Sequence, residues 1–122
     1  MNDPLAPGFD TIAAIATGNV LSAIGIVRVS GPDALPILDR VFAPHYGGPM
    51  SVQPDRKLVL GDLTAPSGAV FDVCLATVSR GPNSYTGEDT AELQCHGSPL
   101  VLRQALEALF AAGARQAKAG EF

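Results

Sequence analysis

The sequence predicts an α+β domain, a mixed β-sheet with helices packed against one of its sides. Three observations carry this. Apolar, β-branched runs outnumber helical ones, a hairpin pattern lies between the two helical segments, and the strict strand–helix alternation of a doubly wound fold is absent. At 122 residues the chain suits one core. Its 47% hydrophobic content is that of a globular chain, and thirteen glycines and ten prolines imply short elements joined by tight turns.

Residues 1–9 read as a flexible tail and residues 10–122 as the domain. "DTIAAIAT" (10–17) is apolar and β-branched, a first strand, and "SAIGIVRVSG" (22–31) is a second. In the second, Ile24, Ile26, Arg28 and Ser30 share one face, so a single cation interrupts an apolar strand. "PDALPILDRVF" (32–42) has helical spacing through Leu35, Leu38, Val41 and Phe42. With Asp33 as N-cap, Pro36 falls at the third helical position, where its missing N–H has no intrahelical partner. Residues 43–55 read as a loop. Two β-rich runs flanking "APSG" (65–68) make 56–79 a hairpin. Ser98 and Pro99 open a strong helix whose buried face is Val101, Leu102, Ala105, Leu106, Leu109 and Phe110, and Gly113 ends it. "ARQAKAGEF" (114–122) adds a last short strand or trails off irregularly.

The totals also exclude functions. Net charge is −4 and the eight basic residues are scattered, so the electrostatic footprint of a nucleic-acid-binding domain is missing. The N-terminus lacks the basic and apolar regions of a signal peptide, and no apolar run approaches the ~20 residues of a membrane helix. A cytoplasmic protein that does not engage membranes is expected. No G-x-x-x-x-G-K-[ST] occurs, so the chain should neither bind nor hydrolyse GTP through a P-loop. Cys74 and Cys95 sit in strand-like apolar runs and read as buried free thiols; no CxxC or HxxxH spacing points to a metal site.

The most informative stretch is "RGPNSYTGEDTAELQCHGSP" (80–99). After a run of turn formers, Thr90, Glu92, Gln94 and His96 alternate with Ala91, Leu93 and Cys95, which aligns a carboxylate, an amide and an imidazole on one strand face. A solvated outer sheet face explains that row, and so does a ligand pocket with polar groups converging from adjacent strands. Arg28 has the same two readings. It either reaches solvent or pairs with Glu92, or it belongs to the pocket.

"DTIAAIAT", "AIGIVRVSGPDAL", "GPNSYTGED.AELQ.HG" and the terminal "GEF" together resemble the N-terminal domains of the MnmE (TrmE) tRNA-modification GTPases, from Asp10 to Phe122. The resemblance implies a tetrahydrofolate-binding-domain-like fold, related to that of the aminomethyltransferases, that binds formyl- or methylene-tetrahydrofolate and pairs the protein as a homodimer. It carries the folate-contacting roles onto Arg28 and Glu92, with Gln94 and His96 as further candidate pocket residues and no catalytic or metal-binding residue. A helical domain and a G domain are expected to belong to the same parent protein, the latter holding GTP, magnesium and potassium. With an MnmG-type flavoprotein, the parent is expected to modify the wobble uridine of tRNA, which this domain does not itself contact. The fragment alone is expected to be non-catalytic. A stand-alone one-carbon transferase domain and a purely structural dimerisation domain are the alternatives.

Two departures from the family pattern stand out. "TGNVLSA" replaces a "PPGRG"-type loop after the first strand, and "QCHGSP" replaces "QGHGGP", which leads us to expect Cys95 to pack rather than bind. The family continues past the "GEF" motif into a basic segment with a further folate-contacting lysine, so the chain reads as one domain of a longer protein.

Overall fold

The computed structural model describes residues 10–16, 23–84 and 86–122. The sequence expectations for the tail 1–9 and for the loop departure at 17–22 lie outside these residues. Seven strands, β1 (Ile12–Ile15), β2 (Ile24–Ser30), β3 (Phe42–Pro44), β4 (Val59–Thr64), β5 (Val70–Ser79), β6 (Thr90–His96) and β7 (Arg115–Gln116), accompany helices α1 (Ala34–Val41) and α2 (Pro99–Ala111). The strands form one sheet in the order β3-β4-β5-β6-β2-β1-β7. Every neighbouring pair is antiparallel except β1 and β7, which run parallel. The sheet is therefore mixed and the class α+β.

The core forms where the period-2 pattern of the strands meets the helical stripes. Val27 and Val29 of β2, Leu93 of β6, Ala76 and Val78 of β5 and Leu63 of β4 are buried on one side of the sheet. Against them α1 places Leu35, Ile37, Leu38 and Val41, and α2 places Leu102, Ala105, Ala108 and Leu109. Burying such aliphatic side chains contributes about 1.5–3 kcal/mol each before ordering costs. The opposite side of the sheet keeps its polar row. No helix of the described residues is long and apolar enough to cross a membrane.

The helix ends follow the sequence with adjustments. Ser98 and Asp33 occupy the N-cap positions, yet neither side chain makes a capping bond. Asp33, at φ −107° and ψ 15°, is outside the extended geometry that aims a cap side chain at the first turn. At the end of α2 the Gly113 and Ala114 N–H groups bond the Phe110 and Leu109 carbonyls, a closed Schellman arrangement.

Two segments correct the sequence expectation. Phe42 does not extend α1 but turns extended and pairs with Leu63 across β3 and β4, while still burying its ring. Residues 43–55 are not simply a loop: they complete β3 and include a 3₁₀ turn at Met50–Val52, with Met50 fully buried.

Cys74 and Cys95 are free and buried on the helix side. Carrying the β5–β6 register one residue beyond Leu75 and Gln94 sets them opposite each other. The Cys74 thiol is pushed well above its ordinary range, first by a hydrogen bond with Cys95 and then by burial. Because the thiolate is the reactive form, iodoacetamide should label neither cysteine in the folded protein at pH 8 and both after denaturation. Rapid labelling of the folded protein would contradict this packing.

Candidate functional site

The open side of the sheet is organised in rows fixed by strand register. Arg28 pairs with Ala14 on one side and Glu92 on the other, and Glu92 pairs in turn with Thr77. The next row holds Ser30, Thr90 and Ser79. Over these two rows lies a hollow of ≈220 Å³, lined by Arg28, Thr77, Ser79, Thr86, Thr90, Glu92 and Phe122, with Val29, Val78 and Ala91 contributing beneath. The hollow is built from a cation, an anion and hydroxyls, set on rigid central strands rather than on loops alone.

Arg28 Nε lies 3.6 Å from Glu92 Oε2, and both side chains are partly open to solvent, at 44% and 30% exposure. At that separation the pair attracts as charges without forming a tight bidentate bond through these two atoms. Glu92 can accept from two adjacent N–H groups of a planar ligand. Arg28 can stack on a ring or pair with a carboxylate. Among the described residues, no group of three or more His, Cys, Asp or Glu side chains is placed to hold a metal.

The rim is the turn-rich segment before β6. Ser30 Oγ and Thr86 Oγ1 share a 2.7 Å hydrogen bond, tying the rim to the end of β2. Asp89 accepts the Gly81 N–H through its carboxylate at 2.9 Å and the Gly31 N–H through its carbonyl at 3.0 Å. Farther out, Arg80 donates its backbone N–H to Asp55 Oδ2 at 3.0 Å and its guanidinium to the same carboxylate and to the Ser51 carbonyl. These contacts, the Arg80 backbone N–H foremost, hold the Asp55 carboxyl below its usual range. Arg56 donates to the Asn83 carbonyl. The rim is thus tied down at several points by side chains outside it.

A second wall comes from the C-terminal segment. Arg115 donates to both Asp10 and Glu121, and Lys118 donates its N–H to Glu121 Oε1 at 2.8 Å. The Arg115 guanidinium, and then the Lys118 N–H, hold the Glu121 carboxyl down at about 2. Phe122 follows, closing one side of the main hollow and bordering a neighbouring one of ≈300 Å³ that also meets Asp10, Glu88 and Glu121.

Of the four residues singled out from the sequence, Arg28 and Glu92 are brought together beneath the main hollow. Gln94 and His96 do not line it. Each two-residue step along a strand moves about 7 Å, so Gln94 stands one row away beside Ile26 and Leu75, and His96 two rows away. At the strand end His96, with its side chain 72% exposed, donates Nδ1–H to Asp72 Oδ1 at 2.6 Å, and its backbone N–H goes to Asp72 Oδ2 at 3.1 Å. Gln94 and His96 border a different hollow of ≈230 Å³ with Ile24, Leu60, Val73 and Leu75. Sequence reasoning missed Thr77, Ser79 and Phe122 as lining residues. The alternating "ATVS" of β5 carried a signal for the first two, but only the register puts them beside Glu92.

The family model described as GTP-binding protein TrmE N-terminus matches residues 11–122. A tRNA modification GTPase MnmE from Symbiobacterium thermophilum is 50% identical over 115 residues, covering 94% of this chain and 25% of that protein. The protein of the same name from Roseiflexus sp. is 50% identical over 117 residues, covering 93% and 24%. One from Synechococcus sp. is 43% identical over 122 residues, covering 98% and 26%. The chain spans about a quarter of the length of these curated relatives.

Proposed function

This chain belongs to the family of TrmE N-terminal domains, and from that membership we propose that it is the tetrahydrofolate-binding and dimerisation module of a tRNA-modification GTPase. The ligand is formyl- or methylene-tetrahydrofolate, held on the open sheet face. GTP, with magnesium and potassium, belongs to a separate G domain of the parent protein. The parent acts in the cytoplasm as a homodimer with an MnmG-type flavoprotein, and tRNA is engaged by that complex rather than by this domain.

One observation carries the reading: Arg28 and Glu92 are register partners on adjacent strands beneath a hollow large enough to receive a ring. A reduced pterin presents an amino group and a ring N–H side by side, the fork that a carboxylate accepts in plane. Glu92 supplies that carboxylate. Arg28 then faces the ring system or the ligand's own carboxylates.

A second reading has its own support. The 3.6 Å contact between Arg28 and Glu92 is what a solvated face with a structural ion pair would display, in a domain that only dimerises. Calorimetric titration of the parent protein, which carries the downstream basic segment, with 5-formyltetrahydrofolate separates the two. Saturable one-to-one binding, competed by a reduced pterin lacking the glutamate tail, is the expected result. Absence of binding at millimolar ligand would leave the structural reading standing.

A further inference from the structure

The main hollow carries charges and hydroxyls on its floor, with Val29, Val78 and Ala91 beneath them, and has one aromatic wall. Its upward-facing lining is Arg28, Thr77, Ser79, Thr90 and Glu92, and Thr86 closes the rim. Phe122 is the sole aromatic among the described lining residues, half-buried over a floor of charges and hydroxyls. A ring placed there gains little for the fold, because the apolar core lies on the opposite side of the sheet. Its placement is nevertheless well fixed. β7 is only two residues long, and beyond it the segment is tied to β1 by the Ala117 N–H bond to the Ala13 carbonyl. Glu121 then folds the chain back, accepting from the Lys118 N–H and from the guanidinium of Arg115, which itself is anchored on Asp10. This carboxylate–guanidinium clamp sets the direction in which residue 122 leaves.

We propose that Phe122 is the stacking wall of the hollow, covering the face of a planar heteroaromatic ring whose edge is held by Glu92, and that Glu121 is its positioning residue through the clamp to Arg115. The proposal rests on the folate reading of the same hollow and adds how the ring's face, rather than its edge, is recognised. A flat polar ring offers N–H groups to a carboxylate at its edge and a π surface to an aromatic neighbour, so the two contacts select for the same ligand class without competing.

The test titrates the parent protein, which carries the downstream basic segment, as wild type, Phe122→Ala, Phe122→Tyr and Glu121→Gln, with 5-formyltetrahydrofolate and with 6-methyltetrahydropterin, the ring alone. Phe122 ring resonances of the wild type are followed by NMR. Loss of an aromatic stack should weaken both ligands by about two- to tenfold in Phe122→Ala. Phe122→Tyr should bind within about twofold of wild type, because it retains the ring. Glu121→Gln should bind more weakly than wild type while melting within about 4 °C of it, since an exposed ion pair contributes little to stability. Upfield movement of the Phe122 resonances on saturation is the direct signature, and it is read in a protein that needs no mutation. If wild type binds both ligands but those resonances do not move, or Phe122→Ala binds like wild type, the stacking wall is overturned while the folate reading survives. Unchanged affinity in Glu121→Gln beside a weakened Phe122→Ala overturns the positioning role alone. Wild type that binds neither ligand overturns the folate reading and this inference with it.

Discussion

Glu92→Gln should lower the affinity for 5-formyltetrahydrofolate by about ten- to a hundredfold while leaving the melting temperature nearly unchanged. The substitution keeps the volume and shape of the side chain but exchanges one acceptor oxygen for an NH₂ donor. That donor would face an N–H of the pterin, so one bond is lost and a repulsive contact replaces it. Loss of a charge-assisted bond costs about 1.5–3 kcal/mol, which sets the range. Stability is insulated for two reasons. Glu92 sits on the sheet side away from the helices, and its ion pair with Arg28 is long and open to water. Such exposed pairs contribute about 0–1 kcal/mol. Calorimetry and thermal melts on the same samples separate the two effects. Equal affinity for wild type and Glu92→Gln would make the polar row of β6 a solvated sheet face and nothing more.

The row itself is legible in the sequence because it is local. Alternation from Thr90 to His96 needs only the two-residue period of a strand, and the structure places Ala91, Leu93 and Cys95 in the core while Glu92 looks outward. The second helix is equally local: Ser98, Pro99 and Gly113 mark its ends, and its stripe supplies Leu102, Ala105 and Leu109 to the core. β3 is not legible, since three residues containing a proline and closing a helix carry no strand period of their own. It exists because Phe42, Ala43 and Pro44 find Leu63, Asp62 and Gly61 alongside. The site divides in the same way. That Arg28 and Glu92 each stand out on a strand is visible in one dimension. That they are abreast, with Thr77 on the far side and Phe122 overhead, depends on the order β5-β6-β2-β1-β7, which no local pattern encodes. His96 shows the limit from the other direction: it shares a strand face with Glu92, but strand length carries it out of the hollow and into the hands of Asp72.

The largest effect on stability is expected at Gly31, where β2 ends and the site, β1 and α1 meet. Its φ of +145° is one that residues with a Cβ rarely adopt. A Cβ there would also stand 2.6 Å from Thr11 Cα and 2.9 Å from the Asp10 carbonyl oxygen, both backbone atoms that cannot rotate away. Relief by shifting the chain is expensive because Gly31 is bonded on both sides: its N–H donates to the Asp89 carbonyl and its own carbonyl accepts the Ala34 N–H. Thr11 is constrained as well, its Oγ1 accepting the Asp33 N–H at 3.0 Å. Gly31→Ala should therefore destabilise the fold by about 2–4 kcal/mol, combining backbone strain with overpacking. For a domain of this size that corresponds to roughly 8–15 °C in melting temperature. Gly68→Ala is the matched control, since Gly68 also has a positive φ, +89°, but a Cβ there meets nothing within 4 Å. It should cost the strain of its positive φ alone, about 1–2 kcal/mol, and so less than Gly31→Ala. Because Asp89 and Ser30 carry the rim of the hollow, Gly31→Ala should also weaken the folate ligand under conditions where the variant remains folded, and Gly68→Ala should not. Equal melting temperatures for the two variants would mean that backbone conformation alone, and not the close approach of β1, makes residue 31 a glycine.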